Sequence, residues 1–184
     1  MSSPSRAQAM AEIDYPAWRC MEKTLIIGYG NPDREDDGVA WHVLQGVAKQ
    51  LGRTGPDLET GGLDQLGQSL DLLFVLQLTP ELAELMADYD YVCFVDAHTG
   101  DYPEDLRFDS IVAGYQASPF THHMTPETCL MLAERLYGHI PQAVMVSARG
   151  HRFGFSNELS IQTALLVEEA IERIACWLGE ISDD

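Results

Sequence analysis

Three groups of side chains in this chain can do chemistry together. The first is Asp36-Asp37, inside Gly28-Tyr29-Gly30-Asn31-Pro32-Asp33-Arg34-Glu35-Asp36-Asp37-Gly38-Val39. The second is Asp96, which closes the apolar run Tyr91–Val95. The third is His122-His123, just ahead of Thr125-Pro126. Two carboxylates and an imidazole can hold a divalent transition metal and leave coordination positions open. Open positions suit a metal that already carries ligands from elsewhere. Asp36 or Asp37 can then take a proton as general base from water activated beside that metal. Each group also has a plainer use. An acidic residue at a helix start caps it and complements its dipole. A lone Asp after a strand serves a turn, and a loop His pair can simply be solvated.

The elements around these residues predict where they meet. Lys23–Ile27 is a short apolar run fit for a buried central strand. The glycines Gly28 and Gly30, with Asn31, form the turn that leaves it. Val39, Val43, Val47 and Leu51 then repeat every four residues as one apolar helix face. Gly52 to Gly67 reads as a loop. Further strands are expected over 72–78, 91–95, 106–112 (an edge strand) and 143–146. Thr79-Pro80 and Thr125-Pro126 are helix-start signals. The second of these helices presents Cys129, Leu132, Ala133 and Leu136 on its apolar face. Ser160 is expected to cap a last helix with Ala164, Val167, Ile171, Ile174 and Leu178 inward. Strands alternating with helices imply right-handed crossovers. The expected fold is therefore a single three-layer α/β/α domain, phosphorylase/hydrolase-like, with a mainly parallel twisted sheet of about five strands. Such a topology gathers strand ends at one edge, where ligands bind. Residues 1–20 read as a tail, and 21–184 as one domain.

Composition narrows the function. The chain has 184 residues and a formal net charge of −18, from 29 acidic and 11 basic residues. That field opposes nucleic acid and anionic membrane surfaces, and it suits metal cations or a basic partner. The four cysteines, Cys20, Cys93, Cys129 and Cys176, form no C-x-x-C pair. Cys93 and Cys129 lie inside apolar elements and read as buried thiols, which fits a reducing cytoplasm. No apolar run is long enough to span a membrane, and residues 1–20 lack a signal-peptide apolar region. Nucleophilic catalysis finds no G-x-S-x-G elbow. A dinucleotide site fails because Asp33 stands where the third glycine would be, and a carboxylate there opposes a pyrophosphate. There is no H-E-x-x-H helix.

The opening string Gly28-Tyr29-Gly30-Asn31-Pro32 … Asp36-Asp37-Gly38-Val39 resembles the first motif of the [NiFe]-hydrogenase maturation endopeptidases. Phe94-Val95-Asp96-Ala97 resembles their second signature, and His122-His123-Met124-Thr125-Pro126 their third. Gly150-His151-Arg152-Phe153 … Leu159-Ser160 is similar to a late family segment. The resemblance spans residues 23 to 178, in the family's order and spacing. It implies an endopeptidase that trims a C-terminal extension from a hydrogenase large-subunit precursor after nickel insertion. The nickel would be carried by that substrate, with zinc or another divalent ion able to occupy the same place. The resemblance puts recognition on Asp37, Asp96 and His122, with His123 as the alternative one residue along. One departure stands out: Gln77-Leu78-Thr79-Pro80 replaces the family's Asp-Gly-Gly after the second strand, which bears on which hydrogenase class is served. Two other readings stay open. One is a non-enzymatic nickel-binding assembly protein using the same trio. The other is a peptidyl-tRNA hydrolase-like enzyme, opposed by Asp33, by the acidic run and by the net charge.

Overall fold

Alternate residues of the first strand belong to opposite cores, and this sets the architecture. The computed structural model describes residues 22–58, 63–64, 69–100, 102–115 and 124–182. The tail read over 1–20, with Cys20, lies outside them. Strand β1 is Thr24–Tyr29. Ile26 packs on one face with Val43, Val47, Ile171 and Ile174, while Leu25 and Ile27 pack on the other with Met86, Leu130 and Ala133. A strand buried on both faces is the signature of a covered parallel sheet.

The chain continues through a short 3-10 turn, Glu35–Gly38, into α1 (Val39–Gln50). Then come β2 (Leu63–Asp64), β3 (Leu70–Val75), α2 (Leu82–Met86) and β4 (Tyr91–His98). The edge strand β5 (Leu106–Ile111), α3 (Pro126–Tyr137), β6 (Gln142–Arg149) and α4 (Ile161–Ser182) complete the described fold. The sheet order is β2-β3-β1-β4-β6-β5. The central β3, β1, β4 and β6 are parallel, and β2 and β5 pair antiparallel at the edges. Helices α1 and α4 cover one face, α2 and α3 the other. This is the expected three-layer α/β/α domain. The addition is β2, a two-residue strand inside the segment read as a loop. No helix among the described residues is long and apolar enough to cross a membrane.

Several local expectations shift for identifiable reasons. Strand β3 ends at Val75, before the expected Leu78, and Leu76 is exposed. Helix α2 starts at Leu82 rather than at Thr79-Pro80. The intervening turn closes by tight i→i+3 bonds, from Leu82 N–H to the Thr79 carbonyl and from Ala83 N–H to that of Pro80. In α3 the buried residues are Cys129, Leu130 and Ala133, whereas Leu136 is 64 % exposed. The apolar stripe keeps Cys129 and Ala133 but is shifted toward Leu130 and away from Leu136. Ala164 is exposed as well, and the inward face of α4 begins at Thr163. Thr125 caps α3 as expected, accepting from Thr128 N–H at 3.3 Å. Cys93 and Cys129 are buried free thiols, and burial pushes the Cys129 thiol up to about 12.

The packing yields a stability contrast. Leu130→Ala should destabilise the protein by about 2–5 kcal/mol, as for other fully buried leucines. Leu136→Ala, about 9 Å along the same helix axis but solvent-facing, should stay within about 0.5 kcal/mol of wild type. Urea midpoints of the two variants would check this, and equal losses would restore the expected stripe.

Candidate active site

The parallel strands reverse their order around β1, which pairs with β3 on one side and β4 on the other. Chain segments leaving the carboxyl ends of β1 and β4 therefore diverge and leave a crevice. A cleft of about 420 Å³ opens there, and Tyr29, Gly30, Arg34, Asp37, Asp96 and Met124 are among its lining residues. Leu76, Gln77 and Leu78 complete one wall. The Gln77-Leu78-Thr79-Pro80 stretch, the departure from the family pattern, thus abuts the site.

Asp37 and Asp96 reach the cleft by different routes. Strand β1 stops pairing with β4 at Gly28–Val95, so Asp96 lies one residue beyond that register while β4 runs on to His98 against β6. Asp96 is therefore inside its strand, where the sequence placed it at the end. Its Oδ1 accepts the Ala97 N–H at 2.7 Å, and the Tyr29 hydroxyl also donates to its carboxylate. Asp37 comes from the 3-10 turn, and its Oδ2 accepts the Asn31 N–H at 3.1 Å. Gly30 has φ 131°, and a Cβ there would collide with the Asp37 carbonyl oxygen. That same Cβ would come 3.8 Å from Asp96 Oδ1, so both acids close on Gly30. Asn31 shapes the turn, its Oδ1 accepting the Asp33 N–H at 3.0 Å. Gly28 does not line the cleft. A Cβ on it would meet Leu44 at 2.9 Å and Phe74 at 3.2 Å, so its smallness serves the core.

The two neighbouring acids differ completely. Asp36 is fully buried and points away from the cleft lining. Its Oδ1 accepts Ser160 N–H at 2.7 Å. Its Oδ2 accepts His151 N–H at 2.7 Å, Arg152 N–H at 2.8 Å and the Ser160 hydroxyl at 2.8 Å. Burial alone would raise its pKa, but these donors outweigh it and hold the carboxyl at about 2. An acid this tightly engaged takes no proton near neutral pH, which removes Asp36 as a general base. Neither Asp36 nor Asp37 caps α1 either, because its N-cap is Gly38 with no side-chain bond.

Asp96 is shifted the other way. Removal from water is the largest cause and the Asp37 charge adds to it, while the Ala97 and Tyr29 bonds oppose; the outcome is about 7. Burial and then the Asp96 charge also push the Tyr29 phenol well above its ordinary value. His122 and His123 lie outside the described residues. Met124 and Thr125, which follow them, line the cleft. Among the described residues no group of three His, Cys, Asp or Glu side chains converges on a metal position. His42, set aside from the sequence, is half-buried on α1 and faces Asn157.

Sequence reasoning missed Tyr29, Arg34 and the purpose of the late motif. Glycines on both sides of Tyr29 signalled a turn but not a hydroxyl on Asp96. The late motif, Gly150 to Ser160, is the receptor of the acidic loop. Ser160 was read only as a helix cap, and it does accept the Thr163 N–H at 3.3 Å while donating to Asp36.

No family model matches the sequence, and no curated protein sequence does. Solved structures do match. The hydrogenase maturating endopeptidase HybD from E. coli has a TM-score of 0.60 at 18% identity, covering 86% of this chain and 93% of that one. The [NiFe] hydrogenase maturation protease HybD from Thermococcus kodakarensis scores 0.58 at 16% identity, covering 85% and 99%. The [NiFe] hydrogenase maturation protease HycI from Thermococcus kodakarensis KOD1 scores 0.55 at 20% identity, covering 89% and 94%. The fold of this chain is the fold of these maturation endopeptidases, over nearly their whole length.

The opposite shifts of Asp36 and Asp96 give opposite pH signatures. Asp36 is depressed from 3.8 to about 2, so its contribution is complete above pH 4 and is lost as pH falls toward 2. Asp36→Asn should cost about 2–4 kcal/mol at pH 7, since an amide presents N–H groups to donors, and should flatten stability between pH 4 and 2. Asp96 is raised from 3.8 to about 7, so its folded-state preference for the proton stabilises below pH 4 and is lost as pH rises to 7. Asp96→Asn should therefore gain stability relative to wild type at pH 8 and not at pH 4. Chemical denaturation across this range measures both signs.

Proposed function

We propose that this protein is an endopeptidase that removes the C-terminal extension of a nickel-loaded [NiFe]-hydrogenase large-subunit precursor. The observation that carries the reading is the pairing of Asp37 and Asp96 in one cleft at the sheet's reversal point. The motif resemblance and the fold held in common with maturation endopeptidases support the same reading.

The nickel belongs to the substrate. Asp37 and Asp96 offer it two oxygen donors, and His122, or His123 one residue along, offers the imidazole. The Asn31 N–H fixes Asp37 through Oδ2, and Oδ1 has no hydrogen-bond partner among the described residues. Burial and the Asp37 charge raise Asp96 to about 7, and a bound metal ion would favour its carboxylate form. A nickel held here can polarise the scissile carbonyl and lower the pKa of a water. Asp37, with Oδ1 unpartnered among the described residues and Asp36 committed elsewhere, is the general base toward that water. The site then responds to nickel loading because the acids have nothing to grip on a metal-free precursor. This is substrate selection by differential affinity.

Intact mass measurement of a nickel-loaded precursor should show loss of a short C-terminal peptide, and the metal-free precursor should stay whole. Asp37→Asn and Asp96→Asn should each lower kcat/KM by at least about 100-fold. His122→Ala should do likewise, and His123→Ala replaces it if the register is one residue along. His42→Ala should leave cleavage unchanged. Normal cleavage by both aspartate variants would end the reading. Nickel binding by wild type without cleavage of any loaded precursor would instead favour an assembly protein.

The proton on Asp96 adds a second measurement. Binding of Ni²⁺ or Zn²⁺ to the free protein should weaken about tenfold per pH unit below 7, because one proton must leave. In Asp96→Asn the binding should be weaker and its slope shallower, because only the imidazole ligand still has a proton to lose. Calorimetry at pH 5.5, 6.5 and 7.5 checks the slope.

A further inference from the structure

The cleft contains one cation among its described lining residues, Arg34, and that cation is uncommitted. Among the described arginines it shares this with Arg135, which lies on the surface of α3 and away from the cleft. Arg107, Arg149, Arg152 and Arg173 are paired with Asp109, Asp105, Glu35 and Glu169. Arg53 donates to the Leu70 carbonyl. Arg34 is exposed, and its guanidinium makes no ion pair or hydrogen bond among the described residues, although Asp37 and Asp96 line the same cleft.

Its backbone, by contrast, is fixed from both sides. The Arg34 N–H donates to the Asn31 carbonyl at 3.0 Å, and its own carbonyl accepts the Asp37 N–H at 3.3 Å. Across the loop, Arg34 forms a parallel bridge with Ser156, made by Glu35 N–H to the Ser156 carbonyl at 2.7 Å and Ser156 N–H to the Asp33 carbonyl at 3.1 Å. An arginine on an ordinary surface loop is solvated and mobile. Here the peptide that presents it is held in place beside the acids that would do the chemistry.

We propose that Arg34 is a substrate-specificity residue that binds a carboxylate of the precursor's C-terminal extension. This rests on the function proposed above. The chemistry fits: a guanidinium forms planar bidentate pairs with carboxylates. It also solves a problem of the site. A cleft with two carboxylates repels an acidic peptide, so an extension bearing a carboxylate needs a positive anchor set apart from the metal-gripping acids. Such a carboxylate has two sources, an Asp or Glu side chain within the extension or the α-carboxylate at its end.

The test uses the full-length protein and its nickel-loaded precursor. Arg34→Gln should raise KM about tenfold with kcat within about twofold, the cost of one exposed charge-assisted pair. Arg34→Lys should recover part of that loss, and Arg135→Gln, on the surface of α3, should change nothing. The effect of Arg34→Gln should vanish on a precursor whose recognised carboxylate has been neutralised. Loss of the effect on C-terminal amidation identifies the α-carboxylate, and loss on Asp→Asn or Glu→Gln changes identifies a side chain. An unchanged KM in Arg34→Gln would overturn the proposal, and so would an effect that persists on every neutralised extension. A binding arm separates this from failure of the proposed function. Fluorescence anisotropy of the labelled extension peptide should show wild-type binding that Arg34→Gln weakens about tenfold, whether or not any precursor is cut. Equal binding by both proteins would sink the role of Arg34 alone.

Discussion

The carboxylate of Asp36 is the interaction on which the rest of the site depends. Four donors from residues 151, 152 and 160 converge on its two oxygens, inside the protein. A buried carboxylate without such donors would be protonated or would unfold its surroundings. With them it becomes a rigid joint between the loop after β1 and the loop before α4. The Glu35 carboxylate repeats the device one residue earlier, accepting the Gly154 N–H at 2.6 Å and pairing with Arg152. Glu35 has φ 52°, a left-handed conformation that costs a non-glycine residue about 1–2 kcal/mol. The ion pair and the Gly154 bond offset that cost. Every residue that lines the cleft from this loop, Gly30, Arg34 and Asp37, inherits its position from the joint.

This division of labour explains why two adjacent acids are needed. Asp36 is held at about 2 by donors and is permanently charged. Asp96 is pushed to about 7 by burial and by Asp37, and is poised to lose or keep its proton near neutrality. One carboxylate builds the site and the others serve it. The difference arises from surroundings alone, since the three side chains are chemically identical.

The fold was legible because its signals are local and redundant. The apolar run of β1, the four-residue repeat of α1 and the Thr125-Pro126 start each follow from short-range chemistry, and their alternation fixes the layer order. Asp37 and Asp96 were legible as cleft residues because topology alone carries strand ends to one edge. What was not legible depends on contacts distant in sequence. Nothing in Glu35-Asp36-Asp37 says that Asp36 turns toward Ser160, 124 residues on, while its neighbour turns toward the cleft. The end of α3 was misread for a related reason. Leu136 obeys the apolar spacing, but the face that packs runs over Cys129, Leu130 and Ala133 and leaves that leucine in solvent.

The same long-range wiring makes the cleft rigid on one wall. The loop that carries Arg34 and Asp37 is pinned to residues 152–156 by backbone bonds as well as by the acids. The opposite wall, Leu76-Gln77-Leu78, follows a strand that has already ended and precedes a helix of only five residues. Leu76 is 63 % exposed and holds no place in either core. The cleft thus has the pinned acidic loop on one side and, on the other, exposed Leu76 and Gln77 beside Leu78, which is held in the core. Changes in Leu76 or Gln77 therefore reshape the cleft without disturbing Asp37, whereas changes in residues 150–160 move the loop that carries it. Selectivity among substrates can vary on the first wall because the chemistry is anchored on the second.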